Sequence, residues 1–172
     1  MRRAQLLGVI VAAVMVASIG LASAARLMLS GGTLQVFSFP GPGTDEADVP
    51  AECAGLTFAQ VIVGTTGDDH FTAANGGALI LGLGGDDTIA GGNGRDCLVG
   101  GDGNDTLSGG NGRDILLGGA GDDSLAGGGD ADVIEGGNGK DRLDGGAGTD
   151  ACYGSTRDVY LRCEAVNPAG SG

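Results

Sequence analysis

Four consecutive nonapeptides decide the fold: GGNGRDCLV (Gly91–Val99), GGDGNDTLS (Gly100–Ser108), GGNGRDILL (Gly109–Leu117) and GGAGDDSLA (Gly118–Ala126). In each of them glycine occupies positions 1, 2 and 4, aspartate occupies position 6 and leucine occupies position 8. The same register continues without a gap from Gly64 to Tyr153, which gives ten repeats whose position 8 is always apolar. A fixed period of nine residues predicts a solenoid, because each repeat can bury its apolar residue only against its neighbours.

The aspartates at position 6 are the first candidate metal ligands. Nine of the ten repeats carry one, and Ala78 is the exception; they are Asp69, Asp87, Asp96, Asp105, Asp114, Asp123, Asp132, Asp141 and Asp150. Glycine at positions 1, 2 and 4 permits positive φ and close backbone approach, so that carbonyl oxygens come to lie beside these carboxylates. Carbonyl and carboxylate oxygens are the ligands that Ca²⁺ prefers.

The pattern G-G-x-G-x-D-x-U-x, with U apolar, resembles the RTX (hemolysin-type) calcium-binding nonapeptide repeat of bacterial proteins. The resemblance spans residues 64–153 of the 172. It implies an all-β fold, a parallel β-roll (a right-handed β-solenoid) of about five two-repeat coils with short N- and C-terminal caps. Each six-residue turn would bind Ca²⁺, and each three-residue tail would form a short strand. It also implies calcium ligands at positions 1 and 3, namely Gly91, Gly100, Gly109, Gly118, Gly127, Gly136, Asn93, Asp102, Asn111 and Asn138.

Stacking of 18-residue coils predicts which carboxylates share an ion. Successive position-6 aspartates would lie about 4.8 Å apart and repel each other, so a divalent ion between coils reverses the sign of their interaction. We expect about seven ions, along one edge from Asp69 to Asp141 and along the other from Asp96 to Asp150. Calcium binding is then coupled to folding. Further carboxylates at position 5 are either additional ligands or solvent-facing groups: Asp68, Asp86 and Asp122.

The two outer faces of the roll differ in polarity. Positions 7 and 9 alternate with position 8 and therefore point outward. Alternate repeats present small polar residues on one sheet, including Thr88, Thr106 and Ser124, and mainly apolar residues on the other. A contiguous apolar face requires a partner. We expect the preceding segment to cover it, and that segment offers Leu56, Phe58, Val61, Ile62 and Val63. The alternative is that the face serves self-association or docking to another protein.

The four cysteines suggest two disulfides, because an even number of cysteines is typical of proteins in an oxidising compartment. Four cysteines allow three pairings. Cys97 falls on the apolar face and Cys53 falls in the segment expected to cover it. We therefore hypothesise a Cys53–Cys97 bond that ties this segment to the roll, and a Cys152–Cys163 bond that closes the C-terminal cap.

The first residues have the composition of a secretory signal peptide. Met1-Arg2-Arg3 precedes an apolar run, and Ala22-Ser23-Ala24 provides a cleavage site, so residues 1–24 are predicted to be removed. The alternative is an uncleaved membrane anchor formed by residues 4–25. Residues 25–63 are then a linker and N-terminal cap, residues 64–153 the calcium-binding roll, and residues 154–172 a C-terminal cap and tail. Both alternatives place the repeats outside the cytoplasm.

Composition narrows the function further. A net charge of −13 and the lack of a basic patch exclude nucleic-acid binding. The sequence contains no H-E-x-x-H, G-x-S-x-G or Walker A motif, and we expect no enzymatic activity. The sequence therefore predicts a secreted calcium-binding protein that acts as a structural or binding module toward a protein or surface ligand of unknown identity. The alternatives are a surface-recognition or adhesion protein that uses the flat Thr/Ser face, and a hydrolase whose catalytic group the sequence does not reveal.

Overall fold

The computed structural model describes residues 26–30, 33–37 and 51–168, which form strands and one short 3-10 helix, Ala51–Cys53. The predicted signal peptide (1–24) and the alternative anchor (4–25) lie outside these residues. The described residues include no helix long and apolar enough to cross a membrane. The strands are β1 (Arg26–Ser30), β2 (Thr33–Phe37), β3 (Gln60–Val63), β4 (His70–Thr72), β5 (Ala78–Gly84), β6 (Thr88–Asn93), β7 (Cys97–Asp102), β8 (Thr106–Asn111), β9 (Ile115–Ala120), β10 (Ser124–Gly129), β11 (Val133–Asn138), β12 (Arg142–Ala147), β13 (Ala151–Gly154), β14 (Val159–Leu161) and β15 (Ala165–Pro168).

The repeats form a parallel β-roll, as the sequence predicts. Strands from alternate repeats build two facing sheets, and between β3 and β13 the paired residues of neighbouring strands are 18 positions apart. The six-stranded sheet has the order β14-β12-β10-β8-β6-β4, and the seven-stranded sheet has the order β15-β13-β11-β9-β7-β5-β3. In this register Leu107 pairs with Leu125, and Leu116 pairs with Ile134. Each coil therefore repeats the one before it, and identical positions stack in columns.

Three details differ from the expected fold. The inner strands are six residues long rather than three, because positions 2 and 3 of the following repeat also pair, as Gly128 does with Gly146. The roll has about six turns rather than five, since β3, β14 and β15 extend the sheets beyond the ten repeats. Strands β1 and β2 form an antiparallel pair within the segment expected to be a linker.

The position-8 side chains form the interior of the roll. They stack in a single cluster between the two sheets, and most are fully buried. Phe71, at the N-terminal end, is only partly buried. The cluster comprises the position-8 residues Ile80, Ile89, Leu98, Leu107, Leu116, Leu125, Ile134, Leu143 and Cys152, together with Ala78, which replaces aspartate at position 6. One aliphatic side chain per repeat is a thin core, so the turns must contribute to the stability of the fold.

A second apolar cluster lies on the outer face of the seven-stranded sheet. Phe58 and Cys53 are each 1% exposed and pack over Leu79 and Ile115. The predicted cover is thus present, and Val61 packs against the same cluster, but Val61–Val63 lies in the sheet and not above it. These residues belong to β3, which adds a strand to the same sheet. The expectation of a cover made by all five apolar residues was wrong in this respect.

Both hypothesised disulfides are present. Cys53 is bonded to Cys97 with a Cα–Cα distance of 6.0 Å, and Cys152 is bonded to Cys163 at 5.9 Å. The first bond fixes the covering segment to the sheet, and the second fixes the last strands to the final repeat. The part of the face that the cover leaves open forms a groove of about 560 Å³, whose lining includes Glu52, Leu117 and Glu135.

Candidate metal centre

The turns between the strands form two columns, which we call the first and second turn stacks. The first stack runs from the seven-stranded to the six-stranded sheet and contains residues 64–69, 82–87, 100–105, 118–123 and 136–141. The second stack makes the return connections and contains residues 73–78, 91–96, 109–114, 127–132 and 145–150. Each turn lies against the equivalent turn of the next coil, so an ion between coils would contact residues 18 positions apart.

Glycine is required in these turns for two separate reasons. At position 1 a side chain would have no space: a Cβ on Gly109 would lie 2.5 Å from Asp114 Oδ2 and 2.6 Å from the carbonyl oxygen of Gly127. At position 4 the backbone has positive φ, as at Gly112 with +122°, a region that side chains rarely adopt. Asp130 is the one non-glycine residue at position 4, and its φ of 71° falls in the left-handed region that aspartate tolerates.

Eight of the nine position-6 aspartates are buried in the turns, each at most 2% exposed. Their Oδ1 atoms accept a hydrogen bond from the backbone N–H of position 6 one coil earlier, at 2.7–3.0 Å. Asp105 Oδ1, for example, accepts from Asp87 N at 2.8 Å. These bonds link adjacent coils, so each carboxylate has a structural role through one of its two oxygens.

The other oxygen of each of these carboxylates has no partner. The Oδ2 atoms of all eight are buried without a hydrogen bond: Asp87, Asp96, Asp105, Asp114, Asp123, Asp132, Asp141 and Asp150. An unpaired buried carboxylate oxygen is strongly unfavourable. Eight such atoms in a regular array indicate that the turns are built for a ligand that neutralises them.

Backbone carbonyl oxygens meet these unpaired atoms. Beside Gly91, Asp96 Oδ2 and the carbonyl oxygen of Gly109 converge on one point, at 2.5 and 2.8 Å from the position of an ideal Cβ. Six turns between complete repeats share this arrangement around an unpaired Oδ2 atom, and their pairs are Asp87–Gly100, Asp96–Gly109, Asp105–Gly118, Asp114–Gly127, Asp123–Gly136 and Asp132–Gly145. Asp69 Oδ2 also lies beside a carbonyl oxygen, that of Gly82, but it is hydrogen-bonded. A carboxylate oxygen beside a carbonyl oxygen fits a hard cation such as Ca²⁺.

Most ligands of a cation in these turns must be backbone oxygens. Within the described residues, no three side chains of histidine, cysteine, aspartate or glutamate lie close enough together to hold a metal ion by themselves. The predicted position-1 ligands Gly100, Gly109, Gly118, Gly127 and Gly136 each bring their carbonyl to an unpaired carboxylate oxygen. Gly91 differs, because the turn before it in its stack carries Ala78 at position 6 and supplies no carboxylate.

The predicted ligands at position 3 have a different environment. Their side chains are exposed, and their carbonyl oxygens accept the position-4 N–H of the preceding coil, as Asn93 does from Gly76 at 2.7 Å. The same holds for Asp102, Asn111 and Asn138. Asn111 also donates through Nδ2 to Asn93 Oδ1 at 2.8 Å. Position 3 thus joins the coils by hydrogen bonds, and its assignment as a calcium ligand stays a prediction.

Asp69 also departs from the array. Its Oδ2 accepts hydrogen bonds from the backbone N–H of Thr65 at 2.7 Å and from Thr65 Oγ1 at 3.0 Å. Position 2 of this first repeat is threonine instead of glycine, and its N–H and hydroxyl satisfy the carboxylate oxygen that is unpaired in the other turns. Asp69 therefore resembles a cap on the first coil more than a metal ligand.

Two carboxylates that the repeat register did not predict lie at the C-terminal end of the turn stacks. Asp158 Oδ1 accepts from Asp141 N at 3.1 Å, and Glu164 Oε2 accepts from Asp150 N at 2.7 Å. Ser155 satisfies the remaining oxygen of Asp158 through its backbone N–H at 2.5 Å. The segment from Gly154 to Asp158 is a repeat turn shortened by one residue, and that deletion hides it from a strict nine-residue period.

The electrostatics of the turns oppose ionisation when no cation is bound. Burial, together with like-charged neighbours that include Asp96 and Asp132, raises the pKa of Asp114 to about 7. The pKa values of Asp123 and Asp132 are raised to about 6, again chiefly by burial. The hydrogen bonds from backbone N–H groups lower these pKa values but do not offset the burial. The pKa values are also raised at Asp87, Asp96, Asp105 and Asp141.

These shifts predict how the calcium-free protein responds to pH. In the unfolded chain aspartate has a pKa near 3.9, so between about pH 4 and pH 7 the folded roll binds more protons than the unfolded chain. The stabilising contribution of the protons is complete below about pH 4 and is lost as pH rises through 6 and 7. We expect chelated protein to show more β-structure by circular dichroism at pH 5 than at pH 7.5.

Calcium should reverse this order, because the ion competes with protons for the same oxygens. With excess Ca²⁺ we expect the urea midpoint to rise between pH 5 and pH 7.5. A calcium-free protein that gains stability as pH rises over this range would contradict the assignment of the buried carboxylates as destabilising when charged.

Comparison with known protein families identifies the repeats. A model of the RTX calcium-binding nonapeptide repeat matches residues 55–77, 72–107, 81–116, 91–125, 99–134 and 117–152. These overlapping matches cover residues 55–152 continuously, which is more than half of the chain. No curated protein and no solved structure shows a significant match.

Proposed function

The chain belongs to the family of RTX calcium-binding nonapeptide repeat proteins, and from this premise we propose that it is a secreted module whose folding is coupled to Ca²⁺ binding. Its role is structural or binding, without catalysis. The observation that carries the proposal is the array of eight buried and unpaired Oδ2 atoms. A divalent cation is the simplest group that neutralises them and also accepts the neighbouring carbonyl oxygens as ligands.

The number of ions follows from the same geometry. Six turns combine an unpaired aspartate oxygen with the position-1 carbonyl of the next coil, three in each stack. Asp69 is engaged by Thr65, which removes one of the seven sites that the sequence predicts. Asp141 and Asp150 face the shortened C-terminal coil and are additional candidates. We therefore propose six complete sites, with up to two more at the C-terminal cap.

Isothermal titration calorimetry tests the proposal directly. We expect six to eight Ca²⁺ ions per chain, and one fewer in Asp114→Asn, whose side chain can still accept the hydrogen bond from Asp96 N. The control is Glu135→Gln, which removes one charge from an exposed residue outside the turns and should leave the number unchanged. Binding of two ions or fewer by the unmodified chain would overturn the proposal.

Export is part of the same proposal. RTX proteins are typically secreted, and the apolar run before Ala25 has the layout of a signal peptide. The two disulfides agree with an oxidising compartment. The chain for the titration is therefore taken from the culture medium of an expressing bacterium, where mass spectrometry should find it beginning at Ala25. A full-length chain retained in the membrane would favour the anchor instead.

A further inference from the structure

At the six complete sites, position 5 is acidic or neutral in the first turn stack and basic or neutral in the second. Each of the six complete sites has a position-5 residue immediately before its buried aspartate. In the first stack these residues are Asp86, Asn104 and Asp122, and in the second they are Arg95, Arg113 and Ala131. The repeats are otherwise alike in their glycines, buried aspartates and converging carbonyls, so the position-5 residue is the main chemical difference between the stacks.

In the first stack the position-5 side chains extend into the gap that holds the site. Asp86 Oδ1 accepts a hydrogen bond from Asn104 N in the next coil at 2.8 Å, and Asp122 Oδ1 accepts from Lys140 N at 2.9 Å. The same gap that Asp86 crosses holds the unpaired Oδ2 of Asp87 beside the carbonyl of Gly100. A second carboxylate thus lies next to the buried one, with an oxygen that is not committed to the backbone.

The other charged residues in the two stacks either increase the difference in charge between them or are too few to cancel it. The first stack also carries Asp68 and Asp102, against one cation at Lys140. The second stack has a single additional carboxylate, Asp130, against Arg95 and Arg113. The field at the sites is therefore more negative along the first stack.

We propose that the two stacks are two classes of calcium site, and that the first stack fills at a lower Ca²⁺ concentration than the second. This inference rests on the proposed function, since it concerns the affinities of the same sites. Ligand charge is a main determinant of calcium affinity. The charged position-5 side chains are exposed, and a unit charge about 6–8 Å from a divalent ion at the dielectric constant of water changes its affinity by roughly tenfold. The sites then fill in two steps, the first stack before the second.

Asn104 shows that the charge at position 5 can be removed without loss of the hydrogen bond between coils. It occupies position 5 naturally, and its Oδ1 accepts from Asp122 N at 2.9 Å, so asparagine preserves the hydrogen bond while it removes the charge. In the double variant Asp86→Asn and Asp122→Asn, titration should show the tighter class weakened about tenfold and the weaker class unchanged. Asn104→Asp should strengthen one site of the tighter class. Glu135→Gln is the control for loss of charge elsewhere on the surface.

One variant in each stack shows which stack holds the tighter class of sites and which holds the weaker class. Asp87→Asn should remove an ion from the tighter class, and Asp114→Asn should remove one from the weaker class. Because the position-5 charges are exposed, about 0.5 M NaCl should narrow the difference in affinity between the classes. A single class of equivalent sites, or a double variant with unchanged affinities, would overturn this inference and leave the proposed function intact. No calcium binding at all would instead remove the proposed function.

Discussion

Removal of calcium from the mature chain with excess EGTA at pH 7.5 is expected to abolish the roll. Far-UV circular dichroism should lose its β-sheet signal, and the cooperative thermal transition should disappear. The reason is that eight carboxylates are buried with one oxygen unpaired in each. Without a cation these groups are either charged in a dry environment or must take up protons, and both are unfavourable at this pH.

The apolar interior cannot compensate for this loss. The roll contains one position-8 side chain per nine residues, whereas glycine, which loses the most conformational entropy on folding, supplies 38 residues of the chain. Binding to the folded state alone stabilises it in proportion to the logarithm of the free calcium concentration for every site that is filled. Several sites acting together therefore make folding a steep function of calcium concentration.

Two controls sharpen this experiment. Readdition of Ca²⁺ should restore the spectrum, because the Cys53–Cys97 and Cys152–Cys163 bonds remain closed and keep the covering segment and the C-terminal cap in place. Mg²⁺ at the same concentration should restore much less, since it requires near-ideal octahedral geometry and gives up its water reluctantly. A spectrum that is the same before and after chelation would show that the sheets hold without metal, and coupled folding would be rejected.

The period of nine made most of this architecture predictable. It assigns each apolar position-8 residue to the interior and each outward residue to one of two faces. The Cys53–Cys97 bond followed from the face on which Cys97 lies, and Cys152–Cys163 was then the remaining pair. The nine-residue period predicts nothing at the positions where the chain departs from it. Thr65 at position 2 changes the partner of Asp69, and the shortened turn before Asp158 shifts that residue out of register.

Other features escaped prediction because they depend on contacts between coils rather than on a single repeat. The six-residue strands arise because positions 2 and 3 find partners 18 residues away. Val61–Val63 has the apolar composition of a cover, but its alternation also suits a strand, and the open edge of β5 provides the hydrogen bonds. The unpaired Oδ2 atoms depend on the direction of each carboxylate, which the sequence does not specify.

The second large effect is expected from Gly112→Ala. The φ of +122° at Gly112 suits glycine alone, and a Cβ there would overlap the carbonyl oxygen of Gly94 in the preceding coil. Backbone strain of about 1–3 kcal/mol and a comparable cost of overpacking give an expected destabilisation of about 3–5 kcal/mol in the calcium-loaded state. For a chain of this size that corresponds to a fall in Tm of about 10–15 °C, which differential scanning calorimetry in excess Ca²⁺ measures.

The matched control for that variant is Gly129→Ala, one coil further along the same stack. Gly129 is at position 3, where its φ is not in the left-handed region and a Cβ would meet only atoms at 3.7 Å or more. Alanine already occupies position 3 at Ala120 and Ala147, so this substitution should change Tm by no more than about 2 °C. Equal effects of the two variants would mean that the turn of Gly112 relaxes without losing its contacts. A small effect of Gly129→Ala alone, with a large one at Gly112, locates the constraint in the close approach of successive coils, the same approach that brings carbonyl oxygens to the buried carboxylates.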